Sequence, residues 1–166
     1  MVYSLGAVFL VAAIILGVTW RSHSQTLPPV DYDGAVAQAV EAKVFPILVP
    51  KPLPTGYVAT SARFEAETYG ATGDVRWYTG FTTPDREFVS LWQSTGPMGK
   101  ILAATSNHGD CSQKQVINNV EWIKCENPKP LARVLAVKKD GVSTVVSGTA
   151  SFAELEAFIN SLHVAQ

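Results

Sequence analysis

The stretch LARVLAVKKDGVSTVVSG, residues 131–148, decides the fold class. Two runs rich in β-branched residues flank Asp140 and Gly141, a preferred pair for the two-residue type I′ turn of a β-hairpin. A second hairpin is predicted by QVINNVEWIKC, residues 115–125, with Asn118 and Asn119 in its loop because Asn tolerates positive φ. Two such hairpins predict an antiparallel sheet.

Two earlier segments alternate between two sets of residues, as strands with two different faces do. They are YVATSARFEAE, residues 57–67, and VRWYTGFTT, residues 75–83. With the segment that follows them, they predict a three-stranded antiparallel meander. The alternation puts these residues together on one face of their strand: Val58, Thr60, Ala62 and Phe64 in the first segment, and Val75, Trp77, Thr79 and Phe81 in the second.

The third segment of the meander, FVSLWQS, residues 88–94, is apolar on both faces. Such a strand is usually central and covered on both sides. Most aromatic residues of this sheet are typical of a core, but Tyr78 and Trp92 are the best candidates for exposure on the second face. Exposed aromatic rings can stack on sugars or line a pocket for an apolar ligand. We therefore take Tyr78 and Trp92 as a candidate binding face.

Two helices are predicted around the later hairpins. TGPMGKILAATSNHG, residues 95–109, has Pro97 at a position that suits the first helical turn. SFAELEAFINSL, residues 151–162, begins with Ser151 as a good N-cap, and Glu154 three residues later completes a capping box. Its apolar residues form one stripe, so this helix should pack on the sheet.

The segment FPILVPKPLPTGY, residues 45–57, contains four prolines. Because proline fixes φ and biases the residue before it to extended geometry, this segment predicts a rigid extended arm laid along the domain. The predicted fold class is α+β, with an antiparallel sheet of about six or seven strands and two or three packed helices.

Residues 1–20 contain no charged side chain. Twenty helical residues span roughly 30 Å, the thickness of the hydrocarbon core of a bilayer. Tyr3 and Trp20 lie where interfacial aromatic residues are found. A cleaved signal peptide is the alternative, but its apolar core is usually only about 7–15 residues long. We therefore expect one N-terminal transmembrane helix, and the absence of a following cysteine excludes lipoprotein processing.

The predicted organisation has three parts: a transmembrane anchor over residues 1–20, a tether with a short helix over residues 21–43, and an extracytoplasmic α+β domain over residues 44–166. Arg21, which follows the apolar run, by itself favours a cytoplasmic C-terminal domain. The cysteines favour the opposite orientation. We therefore expect a single-pass protein of the cell membrane, with a native start upstream of Met1 that supplies the missing positive charge.

Two cysteines, Cys111 and Cys125, are present. In an exported domain such a pair predicts a disulfide, and closing a loop of about fifteen residues stabilises a fold by roughly 3 kcal/mol. The predicted hairpin register pairs Ser112 with Cys125, so Cys111 lies one step away and needs a small bulge to reach its partner. Two free buried thiols in a cytosolic domain are the alternative.

The charge pattern and the reactive residues predict no catalytic, metal or cofactor site. Thirteen Lys and Arg against fourteen Asp and Glu give a net charge of −1, and a balanced surface argues against nucleic acid. His108 and Asp110 lie near Cys111, but that cysteine has a disulfide partner. Glu65 and Glu67 share one strand face, where paired acids are usually solvated.

Several stretches, in this order and spacing, resemble an actinobacterial group, domain-of-unknown-function family number 4245. The resemblance implies a single N-terminal membrane anchor with an extracytoplasmic domain, and no catalytic residue is assigned to the family. The chain departs mildly where the family often has Trp in place of Tyr57 and Gly in place of Asn118 and Asn119. The matching stretches are MVYSLGAVFLV, FPILVPKPLPTGYVATSARF, VRWYTGFTTPDREFVSLWQS, VEW and GVSTVVSGTASFAELEAFINSL.

These observations predict a membrane-tethered, non-catalytic domain that binds an envelope protein, a lipid or a glycan through one sheet face. One alternative is an accessory subunit of a membrane complex, held by the apolar helix. Another is a hydrolase that uses unidentified acidic residues. A deep pocket that converges on the acids or on His108 favours the hydrolase, an exposed patch with Tyr78 or Trp92 favours binding, and a smooth polar surface favours the subunit.

Thiol labelling of intact cells tests location and redox state together. We expect no labelling of Cys111 or Cys125 by a membrane-impermeant maleimide until reductant is added, because both sulfurs are held in a disulfide outside the cytoplasm. Mass spectrometry of the two peptides measures the result. Labelling that reductant leaves unchanged would contradict the disulfide.

Overall fold

The computed structural model describes residues 30–65, 73–129 and 131–166. The helices are α1 (Tyr32–Glu41), α2 (Met98–Thr105) and α3 (Phe152–Asn160). The strands are β1 (Leu48–Pro50), β2 (Val58–Glu65), β3 (Arg76–Thr82), β4 (Phe88–Ser94), β5 (Asp110–Ile117), β6 (Val120–Pro128), β7 (Leu131–Lys139), β8 (Val142–Gly148) and β9 (Leu162–Val164).

Seven strands form one antiparallel sheet in the order β2-β3-β4-β8-β7-β6-β5. The strands β2 to β4 and the strands β5 to β8 are two blocks, each made of neighbours along the chain. The pairing of β4 with β8 joins the blocks, with Leu91 opposite Val146. The α+β class, the antiparallel sheet and the three helices confirm the predicted fold, and β1 and β9 add a small second sheet.

The turns follow the predicted chemistry. Asp140 and Gly141 have φ values of 49° and 81°, and Asn118 and Asn119 have 51° and 60°. All four values lie in the left-handed region that Gly, Asn and Asp tolerate best. The predicted hairpins are therefore both present, with Ile117 opposite Val120 in the second.

The predicted face assignment of Val58 is wrong. Strand β2 contains a bulge between Ala59 and Ser61, so the residues before the bulge are shifted by one relative to those after it. Ala59 packs against the core with Ala62 and Phe64, whereas Val58 is exposed. The two-residue alternation in the sequence continues through the extra residue, so it gives no sign of the bulge.

The first face of the sheet carries the main core. The arm of residues 45–57, α1 and α3 cover this face, and Ala39 of α1 is fully buried there. The packed part of the described chain therefore includes α1, which the sequence pattern assigned to the tether. The buried residues of this core are Ala39, Phe45, Ile47, Val49, Trp77, Phe81, Val89, Leu91, Ile117, Trp122, Leu135, Val146, Ala150, Leu155, Phe158 and Ile159.

The second face of the sheet is covered by α2. Met98, Ile101 and Leu102 pack against a smaller buried cluster of Cys125, Val134, Ala136 and Val145. Trp92 joins this cluster from β4, while Val89 and Leu91 of the same strand lie in the main core. This strand therefore contacts packed residues on both faces, although on the second face Trp92 is only half-buried and Phe88 is exposed.

Two buried side chains bind the backbone of the arm where it crosses the first face. The N–H of Leu48 donates to Gln93 Oε1 at 2.7 Å, and Gln93 Nε2 donates to the Pro46 carbonyl at 3.1 Å. The Leu48 carbonyl accepts from Trp77 Nε1 at 3.1 Å. Strand β9, which the sequence pattern did not predict, pairs with β1 in antiparallel register, with Val49 opposite His163.

The predicted transmembrane anchor over residues 1–20 lies outside the described residues. Within residues 30–65, 73–129 and 131–166, no helix has the length and apolar character needed to cross a membrane.

Substitution Gln93→Ala tests the role of the arm contacts. We expect the free energy of unfolding to fall by about 1–3 kcal/mol, because the substitution removes both hydrogen bonds to the arm and leaves the Leu48 N–H and the Pro46 carbonyl without their partner. Urea denaturation of the purified chain, followed by circular dichroism, measures the change. The matched control is Gln113→Ala at an exposed position, expected within about 0.5 kcal/mol of wild type. Equal effects of the two substitutions would refute the assigned role.

Candidate functional site

Tyr78 and Trp92 form an aromatic pair on the second face of the sheet. They lie directly opposite each other on β3 and β4, with ring centroids 4.3 Å apart and ring planes at 52°. Both side chains are half-buried. The guanidinium carbon of Arg63 lies 5.2 Å from the centroid of the Tyr78 ring. The sequence prediction that these two residues share the second face is therefore matched by the geometry.

The pair lies in a groove of about 300 Å³ between the end of α2 and the open part of the sheet. We call it the aromatic groove. Its lining residues are Tyr78, Phe88, Ser90, Trp92, Ala104, Thr105, Leu131, Ala132, Ser147, Gly148 and Thr149. None of these side chains is charged, and two of the large apolar ones, Phe88 and Leu131, are exposed.

Glycine at position 80 makes room for the Phe88 ring within the groove. A Cβ at Gly80 would lie 2.6 Å from Ser61 Oγ and 3.1 Å from two carbons of the Phe88 ring. An isolated glycine in a strand is a known signal of such close approach. The alternation of residues 88–94, which puts Phe88 on the same face as Trp92, was a second sequence signal that could have added Phe88 to the candidate site, whereas Leu131 left none.

Three hydroxyls of the groove take part in hydrogen bonds. The hydroxyls of Ser90 and Ser147 share a hydrogen bond of 2.9 Å, and the Ser90 hydroxyl also lies 3.1 Å from the Ser147 carbonyl. The Thr149 hydroxyl accepts from the Phe88 N–H at 2.9 Å. With no charged side chain and with the hydroxyls of Ser90, Ser147 and Thr149 engaged, the groove suits an apolar group or a flat ring better than a charged one.

A larger cavity of about 480 Å³ lies at the opposite end of the sheet. It is bounded by the start of the arm and by the turn between β7 and β8. Its lining residues are Val44, Phe45, Pro46, Leu48, Gln93, Thr95, Lys139, Asp140, Gly141, Val142, Thr144 and Val164. Gln93 is engaged with the arm, and the two charged side chains have opposite signs, so the cavity favours no charged ligand.

Among the described residues, the acidic candidate Glu65 lies far from His108 and Asp110. Glu65 and Asp110 are exposed and lie on β2 and β5, the two opposite edges of the sheet. His108 is exposed in the turn after α2, and Glu67 lies outside the described residues. Within the described ranges, no group of three or more His, Cys, Asp or Glu residues could hold a metal ion.

The titratable groups with shifted pKa values belong to structural motifs. The Ser112 hydroxyl and backbone N–H donate to Asp110 and lower the pKa of its carboxyl. Ser151 does the same for the pKa of Glu154 in the capping box of α3, so both acids stay ionised. Burial, and then the charge of Asp33, raises the pKa of Tyr32 to about 12. None of these groups is tuned for proton transfer near neutral pH.

The predicted disulfide between Cys111 and Cys125 is present, with Cα atoms 4.0 Å apart. A bulge between Asp110 and Gln113 brings Cys111 beside its partner, as the predicted register required. Cys125 is fully buried against α2, and Cys111 packs against the same cluster. The bond therefore joins the edge strand β5 to the part of the sheet that α2 covers.

The fold and the site define a small, disulfide-bonded α+β domain with an uncharged aromatic groove on its sheet. The family model described as Protein of unknown function (DUF4245) matches residues 1–162. The chain therefore belongs to this family, which confirms the resemblance found in the sequence. A comparison with curated proteins finds no match to the chain.

Replacing both cysteines tests how much the disulfide stabilises the domain. For the double variant Cys111→Ala, Cys125→Ala, we expect a loss of about 3 kcal/mol in the free energy of unfolding, because the bond closes a loop of 14 residues in sequence separation. Urea denaturation measures the loss. Reductant should lower the stability of wild type by a similar amount and leave the double variant unchanged; a shift in both would point to another target of the reductant.

Proposed function

We propose that this chain is a membrane-tethered domain of the cell envelope that binds a partner protein, a lipid or a glycan in the aromatic groove, without catalysis. Residues 1–20 would be the anchor, and the described domain would lie outside the cytoplasm. The uncharged apolar run supports the anchor. The disulfide supports an oxidising compartment, because such bonds are rare in the cytosol.

The observation that carries the proposal is the partly exposed Tyr78 and Trp92 pair in a groove without charge. Aromatic residues that do not complete a core offer large, rigid contact areas at low entropic cost. Trp77 and Phe81 of the same strand fill the core on the first face. Tyr78 follows Trp77 and therefore lies on the second face. The concave surface beside it is of the size at which small ligand sites begin, about 300 Å³.

The geometry favours binding over hydrolysis. A hydrolytic site needs an acid and a base within reach of one reacting atom. Among the described residues, Glu65 and Asp110 are separated by the full width of the sheet, and the aromatic groove contains no acid or base. An accessory subunit that contacts its complex only through the membrane helix would not need an aromatic groove for binding.

Hydroxyl-radical footprinting tests whether the groove is occupied and does not require the ligand to be identified. We expect at least threefold lower oxidation of Tyr78 and Trp92 in the envelope of intact cells than in the chain purified in detergent, because a bound ligand shields the rings. Tyr57 is the internal control: it is also half-buried, but its ring stacks on Phe158 of the main core, with centroids 6.2 Å apart.

A third sample identifies the class of ligand. In nanodiscs made from the lipids of the same cells, protection of Tyr78 and Trp92 would indicate a lipid. Protection in cells alone would indicate an envelope protein or glycan. Full reactivity of both rings in cells and in nanodiscs would refute the binding proposal.

A further inference from the structure

Three large apolar side chains are exposed at one end of the sheet. Val58 is 62% exposed at the start of β2, Phe88 is 37% exposed at the start of β4, and Leu131 is 40% exposed at the start of β7. Val58 and Phe88 are both opposite Thr82 in the register, and Phe88 and Leu131 both line the aromatic groove. All three residues lie at this end of the sheet, and together we call them the Phe88 rim.

The N-terminal end of the described chain lies at the same end of the sheet. Helix α1 begins at Tyr32, whose ring centroid is 5.8 Å from that of Phe81. Phe81 is opposite Ala59 and Val89, one position inside the rim. The helix then leads away from the rim, since Val44 lines the cavity beside the turn at Asp140.

The length of the preceding segment limits which end of the domain can meet the bilayer. Residues 21–29 separate the proposed anchor from the described chain, and nine residues span at most about 30 Å. Strand β7, from Leu131 at the rim to Lys139, is itself about 27 Å long. The rim can therefore reach the bilayer whether the nine-residue segment is compact or extended. The opposite end could do so only if the segment were almost fully extended along the sheet.

We infer that the Phe88 rim docks on the lipid surface that holds the anchor, with Val58, Phe88 and Leu131 at the interface between headgroups and acyl chains. The inference rests on the proposed function, because it needs the anchor, and it names the lipid bilayer as the partner of the Phe88 rim. The exposed charges beside the rim include Asp85, Arg86 and Lys129, which differ in sign. The contact is therefore apolar and does not depend on anionic lipid.

Spin labels on the full chain in phosphatidylcholine nanodiscs test the docking. The labelled variants are Leu131→Cys and Val58→Cys at the rim, and Val116→Cys as the matched control, because Val116 is 66% exposed beside the Asn118 turn at the far end. The native cysteines are bonded to each other, so each variant offers one free thiol. Accessibility to oxygen and to a water-soluble nickel chelate is measured by power saturation.

We expect the ratio of oxygen to nickel accessibility at residues 58 and 131 to exceed that at residue 116 by at least threefold. The difference should persist between about 50 and 500 mM salt, because screening does not weaken an apolar contact. Equal ratios at the three positions in a chain that floats with the nanodiscs would overturn the docking alone. A chain that does not float with lipid would overturn the anchor as well, and a difference lost at high salt would overturn the apolar contact.

Discussion

The pairing of β4 with β8 is the contact on which the rest of the structure depends. It joins two blocks of strands that are each built from neighbours in sequence, and so produces one sheet of seven strands. Gly148 is needed there, because a Cβ at this position would overlap the Phe88 carbonyl oxygen. The same pairing places Ser90 beside Ser147 and Trp92 beside Val145, so it also builds the floor of the aromatic groove.

The two faces of this sheet are covered to different extents by the other elements. On the first face, Gln93 and Trp77 bind the backbone of the arm, and α1 and α3 complete the core. On the second face, α2 is only eight residues long and packs mainly on β7 and β8. Tyr78 and Trp92 consequently stay half-buried, because no other described element covers them. The candidate site is the part of the sheet that the short helix leaves free.

The candidate site was predicted in part. The period of two in β3 and the apolar pattern of β4 assigned Tyr78 and Trp92 to the second face, and the structure places them opposite each other. Leu131 could not be found in this way, since it enters the groove only because β7 lies next to β8 in the sheet order. Val58 was assigned to the wrong face, because a bulge depends on the partner strand and does not change the local alternation.

The sequence by itself determined much of the local structure of this protein: the strands of the main sheet, the turns at Asn118-Asn119 and Asp140-Gly141, the capped helix α3, the extended arm and the cysteine pair. These features depend on backbone preferences and side-chain spacing over a few residues, which composition and pattern record directly. Only the tertiary structure decided the strand order, the pairing of β1 with β9 and the shape of the groove. These arise from contacts between residues far apart in sequence, such as Phe88 with Gly148, and no local pattern specifies which distant strand becomes the neighbour.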